Sequence, residues 1–224
     1  MKVSILIPYK NSNNHRKKAF EWVVERYKKL YPEYELVLQK DESKSFHKTR
    51  TFNKAFKKST GDIIVMADAD IFFTKELLTK AVSKLNDWIV PYKVYIALNT
   101  RCSNLLIRES PDMDIRKFKL QIKTSSMNSV GGLLVLRREV YEAVNGCDER
   151  FKGWGCEDTA FARCLKTMYG EPDRLEHNIY HIWHPRARNA SIHDGSFEKN
   201  KKLSLEYKRA VGDKDAMKLL VEKR

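Results

Sequence analysis

Short runs of consecutive apolar residues alternate along the first part of the chain with segments in which apolar residues recur every three or four positions. The apolar runs start near Val3, Tyr34 and Asp62, and each has the length of a strand that is buried on both faces. The segments between them, about 15–30 and 46–58, have helical spacing. Strand, helix, strand, helix and strand in this order are typical of an α/β fold with a mostly parallel central sheet.

The second half of the chain is less regular, and its elements are predicted one by one. They are, in chain order, a helix over 74–86, one strand within 88–98, a long loop or insertion over 101–126, a strand over 128–136, helices over 138–144 and 157–168, a strand around 179–183, and basic helices over 197–224. Asp213 is expected to cap the last helix. No repeat or linker divides the chain, so we predict a single domain over 1–224.

The composition adds a strongly basic surface. The 224 residues include 43 Lys and Arg against 29 Asp and Glu, a net charge of +14, and 42% of the residues are apolar. The charge favours an anionic partner such as a nucleotide diphosphate, a nucleic acid or an acidic membrane surface, and a solvated lysine-rich surface is the alternative. No apolar run approaches the ~20 residues of a membrane span, and no signal peptide is recognisable. We therefore expect a cytoplasmic protein with reduced cysteines, peripheral at a membrane surface or on nucleic acid.

Two groups of residues have the chemistry of a metal site. Asp68 and Asp70 follow the third predicted strand, where an extended chain would turn both carboxylates to one side. His181 and His184 lie near the end of the last strand, and neutral imidazole is a frequent metal ligand. A mixed oxygen and nitrogen set suits Mn²⁺ or another octahedral ion better than Ca²⁺. A plain turn and a pair of structural histidines are the alternatives.

A glycine turn runs directly into the helix predicted over 157–168. Gly153, Trp154 and Gly155 allow close approach of the backbone to a ligand, and Glu157 and Asp158 stand at the helix N-terminus, which favours ionised acids. This combination indicates a substrate site, and an ordinary acidic helix start is the alternative. Other candidate contacts are Arg50, which could clamp a phosphate or a nucleobase edge, and Asn53, which could bind a ligand or cap a strand.

Taken together, these motifs resemble those of nucleotide-sugar glycosyltransferases of the GT-A fold. The resemblance is closest to the branch with a galactosyltransferase-type C-terminal module, and it extends over roughly 3–220. The matching positions, in family order, are Pro8-Tyr9-Lys10-Asn11, Arg50 with Asn53, Asp68-Ala69-Asp70, Gly131-Gly132, Gly153-Trp154-Gly155-Cys156-Glu157-Asp158, and His181 with His184. Cys156 departs from the small residue usual at that position.

The resemblance implies a role for each matching position. The metal ligands would be Asp70, His184 and His181 for Mn²⁺ or Mg²⁺. The donor-binding residues would be Pro8, Tyr9 and Lys10 near the base, Arg50 and Asn53 near the nucleotide, and Asp68, Gly132 and Trp154 near the ribose and sugar. Glu157 would line the acceptor, and Asp158 would be the catalytic base. Asp rather than Asn at this last position implies inversion at the anomeric carbon.

The resemblance therefore implies a metal-dependent, inverting glycosyltransferase that uses a UDP-sugar. It divides the domain into a nucleotide-binding half (1–100), an acceptor and catalytic half (101–195) and basic C-terminal helices (196–224). The acceptor remains open between a glycan or lipid-linked intermediate and DNA with a hydroxymethylated base. A non-catalytic module that binds nucleotides or nucleic acid is the alternative of another class.

Overall fold

The computed structural model describes residues 1–43, 45–185 and 195–224. Its strands are β1 Val3–Tyr9, β2 Glu35–Lys40, β3 Ile63–Ala67, β4 Ile71–Phe72, β5 Trp88–Val90, β6 Val94–Leu98, β7 Ile122–Met127, β8 Leu133–Arg137, β9 Asp173–Arg174 and β10 Asn178–His181. Its helices are α1 Asn14–Leu30, α2 Lys48–Lys58, α3 Lys75–Ser83, α4 Thr100–Leu106, α5 Arg138–Ala143, α6 Glu157–Tyr169, α7 Ser196–Arg209 and α8 Lys214–Glu222, with one 3₁₀ turn at Ile115–Lys117.

The larger sheet has the strand order β2-β1-β3-β8-β5-β9. β1 runs parallel to both β2 and β3, whereas β8 is antiparallel to β3 and β5. All five residues of β3 and the first six of β1 are buried, as expected for central strands covered on both faces. The predicted α/β fold, with its mostly parallel central sheet and flanking helices, is confirmed.

A second sheet, of order β4-β10-β6-β7, was not predicted. The stretch 88–98, predicted as one strand, divides into β5 in the larger sheet and β6 in the smaller one. Pro91 lies between them, and because proline has no N–H to donate, it interrupts the ladder at this point. The smaller sheet takes strands from both sides of residue 100, and the division of the chain into halves stays a prediction.

The region 101–126 was predicted to be a loop, and this is wrong. It contains α4, the 3₁₀ turn and most of β7. Asn99 caps α4 by accepting a hydrogen bond from the backbone N–H of Cys102 at 2.8 Å. All six residues of β7 are exposed, so this edge strand lacks the apolar alternation by which a strand is recognised in a sequence.

The C-terminal helices pack beside α6, the helix that follows the glycine turn. The buried Asn200 of α7 bonds both backbone groups of Lys152, just before that turn, and Arg163 of α6 donates to Ser204 of α7. Asp213 caps α8 by accepting from the N–H groups of Asp215 and Ala216, as predicted. Within the described ranges, no helix is both long and apolar enough to cross a bilayer.

Candidate active site

The Asp68–Asp70 segment is a turn between β3 and β4, not the extended chain expected from the sequence. The N–H of Asp68 donates to the carbonyl of Gly132 at 2.9 Å, and the carbonyl of Asp70 accepts from Ile182 at 2.9 Å. Strands β8 and β10 therefore hold the turn from two sides. As a result the two carboxylates have different partners instead of sharing one.

Asp70, His181 and His184 form a compact cluster of possible metal ligands. The Nε2 atom of His184 lies 2.9 Å from Asp70 Oδ2, and that of His181 lies 3.5 Å from Asp70 Oδ1. The two Nε2 atoms are 3.1 Å apart. The three side chains are at most 18% exposed. Burial alone would raise the pKa of Asp70, but the two imidazoles hold it well below its ordinary value.

Strand pairing brings these three ligands together. β10 lies antiparallel to β4, and His181 is opposite Ile71, the residue after Asp70. Beyond the strand, the N–H of Trp183 donates to Ser103 Oγ at 2.8 Å, which fixes the chain between the two histidines. His184 Nδ1 donates to the carbonyl of Pro185 at 2.9 Å, which orients the ring with its Nε2 atom toward the cluster. One carboxylate oxygen and two imidazole nitrogens within 4.8 Å of one another fit a divalent transition metal.

A second cluster surrounds Lys48, the first residue of α2. Its Nζ lies 2.8 Å from Asp68 Oδ1, 2.9 Å from Asp158 Oδ1 and 3.8 Å from a Glu157 oxygen. Burial would lower the pKa of Lys48, but the three carboxylates raise it well above its ordinary value. Burial and the neighbouring carboxylates raise the pKa of Asp68, and Lys48 opposes this shift only in part. One buried ammonium thus connects the aspartate turn with the start of α6.

The glycine turn orients Glu157 and Asp158 differently. Cys156 adopts a left-handed conformation (φ 72°) immediately before α6. Glu157 turns inward, and its Oε2 accepts the N–H of Gly155 at 3.0 Å. Burial, and then repulsion from Asp158, raises the pKa of Glu157 to about 7. Asp158 faces outward with its side chain 37% exposed, against Gly131, where a Cβ atom would lie 2.5 Å from Asp158 Oδ2.

Two further predicted residues lie at this site. Gly132 (φ 92°) lines a pocket together with Lys48, Asp68 and Asp158. Trp154 is 44% exposed, and its ring stacks on Phe197 of α7 with centroids 5.4 Å apart. Trp154 therefore presents an aromatic surface at the turn, and its role near the sugar stays a prediction.

The remaining predicted donor residues lie at the end of β1 and along α2. Tyr9 stacks on Phe20, with ring centroids 4.1 Å apart. Pro8 is opposite Gln39 in the pairing of β1 with β2. Lys10 donates to the carbonyl of Ser43. Their roles near the base stay predictions.

Arg50 and Asn53 are not brought into either cluster. Arg50 pairs with the buried Asp41 at 3.4 Å. The amide of Asn53 donates to the carbonyl of Cys147 and to Glu149, and accepts from Cys147 N–H and the Tyr141 hydroxyl. Because its donors and acceptor are all used within the fold, we leave Asn53 out of the donor site proposed below.

Sequence reasoning assigned no role to Lys48 or Arg16, which contact the two aspartates of the turn. Lys48 contacts Asp68, and Arg16 Nη1 lies 4.0 Å from Asp70 Oδ2. The number of acidic residues predicted at one sheet edge indicated that basic residues must lie nearby, because buried carboxylates require counter-charges. The sequence does not specify which of many basic residues provides them.

This fold and site define the chain as a GT-A glycosyltransferase. The model of glycosyl transferase family 2 matches residues 23–144, more than half of the chain, and the chain belongs to this family. A second model, described as the N-terminal domain of galactosyltransferase, matches residues 111–187. No curated protein sequence matches the chain.

Solved structures show the same fold at low sequence identity. The catalytic domain of Drosophila beta1,4galactosyltransferase 7, in complex with xylobiose, has a TM-score of 0.51 and 18% identity, over 82% of this chain and 71% of that one. Glucosyl-3-phosphoglycerate synthase from Mycobacterium tuberculosis, in complex with Mn²⁺, UDP and glucosyl-3-phosphoglycerate, has a TM-score of 0.53 and 11% identity, over 91% and 78%. A complex of the same enzyme with Mn²⁺, UDP and phosphoglyceric acid has a TM-score of 0.52 and 13% identity, over 91% and 77%.

Proposed function

We propose that the protein transfers a sugar from a UDP-sugar to an acceptor hydroxyl with the help of Mn²⁺ or Mg²⁺. The proposal rests on the proximity of two clusters, the possible metal ligands around Asp70 and the carboxylates around Lys48. The aspartate turn joins them, because Asp68 belongs to the Lys48 cluster and Asp70, two residues later, belongs to the metal cluster. Mn²⁺ and UDP bound together in the glucosyl-3-phosphoglycerate synthase structures support it.

Asp70, His181 and His184 would hold the metal. The ion, when bound, supplies Lewis-acid stabilisation of the negative charge that develops on the diphosphate leaving group. The protein contributes a preformed ligand set, because the His184 ring is oriented by its bond to the carbonyl of Pro185, and the carbonyl of Asp70 accepts from the N–H of Ile182, just after β10. Asp68, on the other side of the turn, would contact the ribose or the donor sugar.

Asp158 is the proposed general base. It is the more exposed of the two acids at the start of α6, so an acceptor hydroxyl can reach it, and Lys48 Nζ at 2.9 Å holds its carboxylate in place. In the proposed reaction the acceptor oxygen bonds to the anomeric carbon while the bond from that carbon to the β-phosphate oxygen breaks. The hydroxyl proton passes to Asp158, and UDP leaves. A base in this position contributes about 10²–10⁴-fold, and attack opposite the leaving group inverts the anomeric carbon.

Glu157 has a supporting role in this proposal. It is buried and bonded to Gly155, so it fixes the glycine turn that presents Trp154 to the sugars. Contact of Glu157 with the acceptor, as the family resemblance implies, would require the acceptor to reach past the turn. The identity of the acceptor stays a prediction, with glycan, lipid-linked and DNA acceptors as the alternatives.

The test is release of UDP from a panel of UDP-sugars with Mn²⁺ present, first in water and then with glycan, lipid-linked and DNA acceptors. We expect release that depends on the metal and that Asp70→Ala abolishes. Absence of both UDP binding and release, together with an Asp70→Ala variant that behaves like the parent, would refute the proposal. A DNA acceptor further requires duplex binding that weakens steeply from about 50 to 200 mM salt.

A further inference from the structure

The first turn of α1 forms another wall of the metal cluster. Asn13 caps the helix by accepting from the N–H of Arg16, and the first turn has no acidic residue. His15 packs edge-on against Trp183, with ring centroids 5.1 Å apart. Trp183 lies in the sequence between the two histidine ligands. The Arg16 guanidinium reaches Asp70 at 4.0 Å, and its side chain is 22% exposed. The helix start therefore places a partly buried cation beside a proposed metal ligand.

The distribution of charged groups in the site distinguishes Arg16 from Lys48. Four carboxylates meet at the aspartate turn and the start of α6, and Lys48 lies among three of them at distances of 2.8 to 3.8 Å. Arg16 is at the opposite end, where Asp70 is its one ion-pair partner among the described residues, and the distance of 4.0 Å makes that pair a weak one. Because Arg16 is not tightly paired with Asp70, its guanidinium can reorient toward an anion that binds to the metal.

We propose that Arg16 binds the diphosphate of the nucleotide donor and stabilises its charge as the leaving group departs. This rests on the proposed function and adds a residue to it. A guanidinium presents a planar set of donors that matches two phosphate oxygens, which an ammonium does not. Lys48 is not placed for this task, because it is occupied by carboxylates.

The proposal predicts effects of opposite sign on two ligands. Arg16 repels a metal ion that binds alone, since both are cations near Asp70, but it attracts the metal–diphosphate complex. Replacing it with an uncharged residue should therefore strengthen binding of Mn²⁺ alone and weaken binding of UDP. A residue that only supports the fold would weaken both or neither.

The experiment is calorimetric titration of the intact chain and of Arg16→Gln, Arg16→Lys and Lys17→Gln with Mn²⁺ alone, and with UDP or UMP at saturating Mn²⁺. For Arg16→Gln we expect UDP to bind about tenfold to a hundredfold more weakly and Mn²⁺ alone about twofold to fivefold more tightly. UMP, which lacks the β-phosphate, should lose less than UDP. Arg16→Lys should recover part of the UDP affinity. Lys17→Gln removes the same charge one residue away, where Lys17 is exposed and pairs with Glu21, and should match the parent.

The result that overturns the proposal is an Arg16→Gln variant that keeps its UDP affinity, or one that loses UDP and UMP equally. Unfolding midpoints of all variants show whether a loss reflects the fold, and Arg16→Lys decides the case if Arg16→Gln is unstable. Failure of the parent itself to bind UDP with Mn²⁺ would refute the proposed function and this inference with it. Parent binding with no effect of Arg16 would refute this inference alone.

Discussion

Replacing Lys48 with methionine should destabilise the packing of the N-terminus of α6 and lower the free energy of unfolding. The substitution keeps most of the unbranched side chain, which becomes one atom shorter, but removes the ammonium that lies 2.8 Å from Asp68 and 2.9 Å from Asp158. Removal of one partner from a buried ion pair costs about 3–5 kcal/mol. Because the two aspartates are 30% and 37% exposed, water can solvate them in part. We therefore expect a loss of about 3 kcal/mol in the free energy of unfolding at neutral pH, the low end of that range.

The loss should depend on pH with a definite sign. Burial already raises the pKa values of Asp68 and Glu157, and without Lys48 they rise further in the folded state, so the ionisation of these two acids opposes folding. The destabilisation should therefore grow as the pH rises from about 4, below which both carboxyls are protonated in both states, toward neutral pH. Catalysis should also fall by about 100-fold, because the Asp158 carboxylate loses the ammonium that holds it in position.

Urea denaturation of Lys48→Met at several pH values measures this effect. Lys54→Met is the matched control, since Lys54 is an exposed lysine of the same helix. The double variant Lys48→Met, Asp158→Asn should recover about 1–3 kcal/mol relative to the sum of the single variants. Equal stability of Lys48→Met and the parent across the pH range, or strict additivity in the double variant, would refute the assignment of Lys48 as the shared counter-ion.

Three further predictions concern the two clusters. Asp70→Ala and His184→Ala should each weaken Mn²⁺ binding by at least about tenfold, measured by calorimetry, and unaltered affinity would exclude the proposed ligand set. Because the pKa of Glu157 is raised from 4.5 to about 7, its ionisation opposes folding, and the stability of the parent should decline as the pH rises from about 4.5 to about 7 and level off above that. Glu157→Gln should remove this decline, measured by denaturation curves at about pH 5 and about pH 8.5. Gly131→Ala should displace the Asp158 carboxylate, because the added Cβ atom would lie 2.5 Å from Asp158 Oδ2. We expect kcat to fall by about 100-fold with little change in the unfolding midpoint. Retained kcat would argue against Asp158 as the base.

The local elements of the larger sheet followed from the sequence, because burial on both faces produces continuous apolar runs at β1 and β3. The smaller sheet did not follow from it. β7 is an exposed edge strand and β4 has only two residues, so neither has a pattern of its own. Such strands form because neighbouring strands offer them hydrogen-bonding partners, and that information is in the tertiary structure.

The residue types of the site also followed from the sequence. Asp70, His181 and His184 were predicted as metal ligands from their chemistry and their family pattern, and the antiparallel pairing of β4 with β10 places them within reach of one another. What only the tertiary structure decided is the choice of counter-charges. The chain has 43 basic residues, and their spacing does not distinguish Lys48 and Arg16 from the rest. A buried carboxylate selects its partner by distance in the folded state, where Coulomb attraction in a low-dielectric environment is strong, and no local pattern encodes that distance.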